Sequence, residues 1–284
     1  MALRRPAVAG AFYAGSKEAL RRQIEWCFKH ELGPRKVPEP SEKPLETLLA
    51  LVCPHAGYMY SGPVAAHSYA RLAEEGRPDV AIILGPNHTG FGSAVAISVS
   101  GAWRTPLGDV EIDTGVAEAI MDRADVISVD DEAHLYEHSI EVQLPFLQFL
   151  YGSDFKLVPI CMMLQGMRTS SEVGSAIAGA IRELGLNAII IASTDLTHYE
   201  PQPVAERKDR AVIEAVERLD VTGLYRAVEE LPVSMCGYGP TAATIVAARE
   251  LGASRGELLR YATSGDITGD RSSVVGYASI ALVR

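Results

Sequence analysis

The chain has 284 residues, of which 48% are hydrophobic and 22% charged, and its formal net charge is −10. This composition is typical of a globular protein with a sizeable core, and no apolar run approaches the roughly 20 residues of a membrane-spanning helix. The negative charge argues against a nucleic-acid partner, because phosphate binding needs clustered lysines and arginines. We therefore expect neither nucleic-acid nor membrane binding.

The cysteines and the start of the chain bear on its compartment. The four cysteines are far apart and form no C-x-x-C pair, so the sequence predicts neither a zinc knuckle nor a thioredoxin-like site. The opening MALRRPAVAGAFYAGS superficially resembles a signal peptide, but its apolar part is short and is broken by Pro6 and Gly10. We expect a cytoplasmic protein with reduced cysteines.

Apolar patterning predicts helices and strands that alternate along the chain. A first helix begins at Ser16 and ends near His30. The predicted strands cover 47–53, 80–85, 94–100, 155–162, 187–193, 258–265 and 272–283. The further predicted helices cover 63–75, 114–123, 137–152, 170–184, 203–218, 221–230 and 240–252. Several strands are apolar throughout, which is typical of strands with helices on both faces. The order predicts an α/β fold with a layered, parallel or mixed central sheet flanked by helices, in one domain over 1–284.

Histidines follow three of the predicted strands. LLALVCPHAGY contains His55, VAIILGPNHTG contains His88, and AIIIASTDLTHY contains Asp195 and His198. In open α/β sheets, ligands bind beyond the carboxyl ends of the strands. One such histidine would be an ordinary loop residue, but three at equivalent positions predict a shared site.

The other histidines are more ambiguous. His30 at a helix end and His67 within a helix are assigned structural roles. His134 and His138 lie in DDEAHLYEHSIEVQLP, where Glu137 and His138 open a predicted helix. Either of the latter two could face the crevice and support the site, or form a satisfied surface pair.

A cysteine and two tyrosines are further pocket candidates. Cys236 lies in the glycine-flanked turn of LPVSMCGYGPTAATIV, just before a helix whose first residue is predicted to be Pro240. Backbone N–H groups and the helix dipole there favour a thiolate. Tyr58 and Tyr199 closely follow the strand-end histidines and are candidate pocket walls. A small buried hydrophobe is the alternative for Cys236, and it is the role assigned to Cys27, Cys53 and Cys161.

With these residues identified, the chain resembles the Memo family, and specifically the members called AmmeMemoRadiSam system protein B. The matching segments are RRPAVAGAFYAGS, CPHAGYMYSG, ILGPNHTG, WRTPLGDVEID, EHSIEVQLPF, STDLTHY, MCGYGP and DRSSVVGYAS, in order along essentially the whole chain. That family is similar in fold to the class III extradiol (LigB-like) non-haem iron dioxygenases. Those enzymes hold Fe(II) with two histidines and a carboxylate, and use another histidine as acid and base.

The resemblance implies a metal site with a cysteine in place of the carboxylate. Iron or copper binding is attributed to two histidines and a cysteine in Memo proteins. Carried onto this sequence, the ligands are His55, His88 and Cys236. The neighbouring catalytic positions fall on Asp195 and His198, with His198 as the acid and base. Animal members have Cys-His-Trp where this chain has Thr197, His198 and Tyr199, so a role that needs that second cysteine does not carry over.

Three functional hypotheses follow. Two imidazoles and a thiolate suit iron, copper or zinc and leave positions open, which favours a metal-dependent redox enzyme of unknown substrate. The alternative is a non-catalytic protein that binds a peptide or an anion, or that serves as accessory to the radical SAM and AMMECR-type proteins that the family name implies. The third is a metal-free enzyme with Cys236 as nucleophile and His198 or His55 as base.

Overall fold

The computed structural model describes residues 3–284. Its helices are α1 Lys17–Lys29, α2 Gly62–Glu75, α3 Thr114–Met121, α4 Leu144–Tyr151, α5 Met167–Leu184, α6 Gln202–Glu217, α7 Val221–Glu230, α8 Tyr238–Glu250 and α9 Ser264–Thr268. Its strands are β1 Leu3–Arg4, β2 Leu48–Cys53, β3 Val80–Pro86, β4 Val95–Ile97, β5 Ala102–Thr105, β6 Gly108–Glu111, β7 Ser128–Val129, β8 Lys156–Met162, β9 Ala188–Ser193, β10 His198–Glu200, β11 Arg255–Thr263 and β12 Val274–Val283. Within this part of the chain, no helix is long and apolar enough to cross a bilayer.

The main sheet is mixed and has a parallel centre. Its strands follow the order β10-β12-β2-β9-β3-β8-β4-β7, and β11 pairs with β12. The adjacent strands β2, β9, β3 and β8 are parallel, whereas β12 and β4 run antiparallel to their neighbours β2 and β8. A smaller sheet has the order β1-β5-β6. The predicted α/β class with a mixed, helix-flanked sheet is confirmed.

The apolar strands form this sheet because helices cover both of its faces. Successive side chains of a strand point to opposite faces. In β2, Ala50 and Val52 pack into one core with α5 and α8, whereas Leu51 and Cys53 pack into a second core with α1 and α2. Each fully buried aliphatic side chain contributes about 1.5–3 kcal/mol, so a slip of register would be costly. A strand whose two faces are both buried therefore has an uninterrupted apolar run in its sequence.

The helix predicted over 137–152 is wrong in its first half. Instead, a 3₁₀ turn covers Glu141–Gln143, and α4 begins at Leu144 with Pro145 in its first turn. Proline fits there because its missing N–H would have no helical acceptor. As a result, His138 lies in an irregular loop that can approach the main sheet.

Other differences concern short elements and boundaries. The strand predicted over 94–100 is only Val95–Ile97, and α8 begins at Tyr238 rather than at Pro240. The sequence interpretation missed the β5–β6 hairpin and the short strands β1, β7 and β10. These strands have two to four residues each, too few for a periodic pattern.

The central strands end level with one another. Ala192 in β9 pairs with Val52 in β2 on one side and with Leu84 in β3 on the other. Neighbouring strands are about 4.8 Å apart, so β2 and β3 lie about 10 Å apart with β9 between them. The loops that carry His55 and His88 therefore leave the same edge at the same height, within reach of each other.

Candidate metal centre

The side chains of His55, His88 and Cys236 come together at this edge. One ligand atom from each lies within 4.8 Å of the others, so the group could hold a metal ion. The His55 and His88 ring centroids are 5.2 Å apart, and Cys236 Sγ lies 3.2 Å from His55 Nε2. Metal–nitrogen and metal–sulfur bonds are about 2.0–2.3 Å long, so only small side-chain adjustments would bring all three onto one ion.

The hydrogen bond of His55 Nδ1 leaves its Nε2 lone pair directed at Cys236 Sγ, where a ligand would bind. Ser193 Oγ donates to the carbonyl of Ser139 at 2.6 Å and accepts from Gln143 Nε2 at 2.7 Å. Because the hydroxyl hydrogen is already used, Ser193 Oγ must accept from His55 Nδ1, which lies 3.0 Å away. The neutral ring therefore carries its proton on Nδ1, and its unprotonated Nε2 faces Cys236. Burial favours this neutral form, because it lowers the pKa of His55 well below the ordinary value.

A buried carboxylate fixes His88 in the same tautomer. Glu137 Oε2 accepts from the His88 backbone N–H at 2.6 Å, and Glu137 Oε1 lies 3.0 Å from His88 Nδ1. Burial alone would raise the pKa of Glu137, but the hydrogen bonds from His88 outweigh it and the pKa is lowered. Nδ1 therefore donates to a carboxylate and Nε2 remains as the ligand atom. Metal-binding histidines commonly have such a carboxylate partner.

Cys236 is held by the β9 loop rather than by the helix that follows it. Its Sγ accepts from the Asp195 backbone N–H at 3.2 Å. Burial and, next, the Asp195 carboxylate raise the pKa of Cys236 to about 12. The expectation that the helix N-terminus favours a thiolate is thus wrong for the metal-free chain. A coordinated cation would supply the positive charge that a thiolate needs, whereas a metal-free nucleophile would lack it.

A cavity of about 280 Å³ opens beside these ligands. No lysine or arginine is among the residues that line it, within the described part of the chain. The side chains that line it include Phe12, His88, His138, Asp195, His198 and Tyr199. A cavity with several imidazoles and one carboxylate suits a cation or a neutral molecule better than an anion. The composition of the cavity wall therefore weighs against the anion-binding alternative.

Asp195 and His198 have different partners, contrary to the direct pair that their spacing allows. Asp195 Oδ1 accepts from the His55 backbone N–H at 2.8 Å, and Oδ2 lies 4.0 Å from His55 Nε2. Burial raises the pKa of Asp195 to about 6. His198 Nδ1 lies 2.9 Å from the carbonyl of Ser234, which can only accept, so the His198 Nε2 lone pair remains available. Asp195 therefore supports His55, and Ser234 orients His198.

Of the remaining candidate residues, two line the cavity and two are buried away from it. Tyr58 is 2% exposed and donates to the carbonyl of Val142 at 2.6 Å, so the expectation that it lines the pocket is wrong. Tyr199 does line the pocket and is 77% exposed. His134 is fully buried with its ring against Trp103 and is not among the residues that line the cavity. His138 faces the cavity, with its ring centroid 4.6 Å from that of His88.

One pocket residue, Phe12, is not predicted from its local sequence, although it lies in the segment RRPAVAGAFYAGS that carries the family resemblance. The Phe12 ring lies 4.7 Å from the His138 ring and forms a wall of the cavity. Its loop is anchored by the buried Glu141 carboxylate, which accepts from the backbone N–H groups of Ala7 and Val8. Contacts between residues about 130 positions apart leave no trace in local periodicity.

Comparison with known proteins identifies a family and several relatives of this chain. The model of the Memo-like protein family matches residues 4–281. The chain belongs to the Memo-like family. Its relatives include a MEMO1 family protein of Methanopyrus kandleri, 58% identical over 281 residues that cover 99% of both chains. Another, from Methanothermobacter thermautotrophicus, is 55% identical over 279 residues that cover 98% of this chain and 100% of the relative. The resemblance to the Memo family inferred from the sequence is thus confirmed.

A solved structure shares the fold of this Memo-like chain. It is an uncharacterized protein of Escherichia coli K12, with a TM-score of 0.54 and 16% sequence identity. The match covers 83% of this chain and 99% of the other. At this identity the likeness concerns the fold alone. The reading of the Memo-like pocket therefore depends on its own geometry.

Proposed function

We propose that this Memo-like protein is a metal-dependent redox enzyme that acts on a small substrate in the cavity. The metal is iron or copper, and its ligands are His55, His88 and Cys236. Zinc also suits this donor set, but it would supply no redox chemistry. One observation carries the proposal: these side chains converge, and each imidazole uses Nδ1 for a hydrogen bond, which leaves Nε2 as its ligand atom. A reduced cytoplasmic setting would keep Cys236 available as a ligand.

Each residue of the pocket then has a chemical task. A bound iron or copper would supply the redox chemistry, and three protein ligands would leave positions open for substrate. His198 lines the cavity, and its Nε2 would accept a proton from the substrate and return it. Asp195 holds the backbone of His55 and would balance the charge of the metal. Glu137 would keep the His88 ring in its ligating orientation.

Metal analysis tests the proposal. The wild type, His55→Ala and Cys236→Ser would be purified anaerobically, with His30→Ala as a matched control outside the pocket. We expect near-stoichiometric iron or copper in the wild type and the control, and at least a tenfold loss in the two pocket variants. Equal, sub-stoichiometric metal in all four proteins would overturn the proposal. Circular dichroism of each variant separates loss of a ligand from loss of the fold.

A second candidate function is partner binding, and one observation favours it. Large exposed apolar side chains lie in the segments that follow the central strands or in the loop that carries His138: Met59, Tyr60, Phe91, Tyr136, Leu164 and Tyr199. Exposed apolar groups that gather on one face are typical of interaction sites. The partner would be a peptide segment, or the radical SAM or AMMECR-type protein that the family name implies.

A pull-down with those two proteins, produced recombinantly, tests this second function. The chain should retain at least one of them, and Phe91→Ser with Tyr136→Ser should weaken retention. Leu184→Ser, which changes another exposed apolar residue, at the far end of α5, is the control. Retention of neither protein by the wild type would count against partner binding.

A further inference from the structure

A second group of metal-binding side chains lies beside the first and shares His88 with it. One ligand atom from each of His88, Glu137 and His138 lies within 4.8 Å of the others. Glu137 Oε1 is 3.0 Å from His88 Nδ1 and 3.5 Å from His138 Nδ1. Ligand atoms around a four-coordinate ion, each bonded at about 2.0–2.2 Å, are spaced similarly. The three donors therefore already have a spacing that one ion could accept.

We propose that a divalent metal ion can occupy this second position, formed by His88, Glu137 and His138, in exchange with the first. We call it the outer seat, and the position formed by His55, His88 and Cys236 the inner seat. The inference rests on the proposed function, because exchange needs a working inner seat. It adds to that function a position where the ion binds first, with donors that are harder than those of the inner seat.

The shared histidine makes the two seats alternatives. His88 would bind the inner metal through Nε2 while its Nδ1 donates to Glu137. Binding in the outer seat would use Nδ1 instead, and the ring proton would move to Nε2. A neutral imidazole has only one lone pair for a ligand bond, so one His88 ring serves one seat at a time. The chain should therefore hold one metal ion rather than two.

Exposure and donor chemistry place the outer seat on the route to the inner one. The side chains of His88 and His138 are 33% and 19% exposed, whereas that of His55 is 2% exposed. A hydrated ion would meet the outer pair first. Two imidazoles and a carboxylate form a harder set than two imidazoles and a thiolate, so a softer ion would gain by moving inward. The His88 and His138 rings lie close together, with their centroids 4.6 Å apart.

Cobalt(II) distinguishes the seats, because a thiolate ligand adds a charge-transfer band that a carboxylate does not. The metal-free full-length protein would be titrated anaerobically with Co(II). The wild type should bind one equivalent and develop the charge-transfer band. The double variant His55→Ala with Cys236→Ser should still bind about one Co(II), without the band. Adding His138→Ala to this double variant should weaken that binding by about 10–100-fold.

Several results would overturn the inference. Equal binding by the double and triple variants would remove the outer seat, and two equivalents bound by the wild type would contradict sharing of His88. Loading kinetics test the route: His138→Ala alone should slow the growth of the band at least about tenfold, and an unchanged rate would exclude a loading role. If the wild type bound Co(II) without the band, the inner seat would fail, while the double variant would still decide the outer seat. Circular dichroism confirms that each variant is folded.

Discussion

Glu137 holds His88 at two points, accepting from its backbone N–H at 2.6 Å through one oxygen and lying 3.0 Å from its Nδ1 through the other. The opposite ligand, His55, has a comparable arrangement, with its backbone N–H bonded to Asp195 and its Nδ1 to Ser193. Both imidazoles are thus fixed at the main chain and at the ring. A pocket built this way has its donors oriented before any ion arrives, which lowers the entropic cost of binding.

We predict that Glu137→Gln weakens metal binding by about 10–100-fold. The amide keeps the size of the side chain, but only one of its two ends can accept, so one contact with His88 is lost. Competition against a chelator of known affinity measures the change. Glu132→Gln, an exposed glutamate five positions earlier, is the control and should bind like the wild type. An unaltered affinity in Glu137→Gln would mean that the ring is oriented by other contacts.

We predict that Glu141→Ala lowers the free energy of unfolding by about 3–5 kcal/mol, because it leaves the buried Arg4 guanidinium without its partner. The two groups are 2.6 Å apart and at most 1% exposed. Urea denaturation measures the loss. Asp109→Ala removes the partner of the exposed Arg104 and should have little effect. Equal losses of unfolding free energy in the two variants would show that burial does not increase the contribution of the Arg4–Glu141 pair to stability.

The main sheet could be predicted because each of its central strands is specified by its own short stretch of sequence. An uninterrupted apolar run such as that of β2 or β9 specifies a strand covered on both faces, whatever the rest of the chain does. Parallel strands also end at one edge, so placing His55 and His88 at the strand ends was enough to bring them together. The position of Cys236 before a helix was likewise readable from its glycines.

The rest depended on contacts that sequence periodicity does not encode. The loop around His138 was read as helical because its apolar residues continue those of α4, and only the proline in that helix indicated a later start. Tyr58 was placed in the pocket by its closeness to His55 in sequence, but its hydroxyl reaches the carbonyl of Val142 in the core. The partner of His198 is a main-chain carbonyl of Ser234, which any residue type could provide.

We predict that the metal-free protein loses stability as the pH falls from about 6.5 to about 4, partly through His134. Burial, and then the nearby Arg4 charge, lower the pKa of His134 from 6.5 to about 4. In this window the unfolded chain binds a proton that the folded chain does not, so stability falls with pH, by up to about 3 kcal/mol for one histidine. Neither ring nitrogen has a hydrogen-bond partner among residues 3–284.

The substitution His134→Phe isolates this contribution. The phenyl ring has a similar shape, can pack against Trp103 and gives up no hydrogen bond made within the described chain. The free energy of unfolding should therefore depend less steeply on pH between 4 and 6.5 than in the wild type, as measured by urea denaturation across that range. His30→Phe replaces a half-buried histidine outside the pocket and controls for removing any histidine. An identical slope in His134→Phe and the wild type would exclude the assignment.

The last prediction concerns the backbone at Tyr199, beside His198. Its φ of 60° lies in the left-handed region, at an irregularity where β10 pairs with β12. A side chain in that region costs about 1–2 kcal/mol, and a ring that is 77% exposed regains little of it by packing.

Glycine adopts this conformation freely, so Tyr199→Gly should keep the stability near that of the wild type. A β-branched residue is least tolerated there, so Tyr199→Val should lower stability by at least about 1 kcal/mol and displace His198. Urea denaturation gives the first quantity and the NMR shift of the His198 ring the second, and equal behaviour of the two variants would show that the conformation carries no strain.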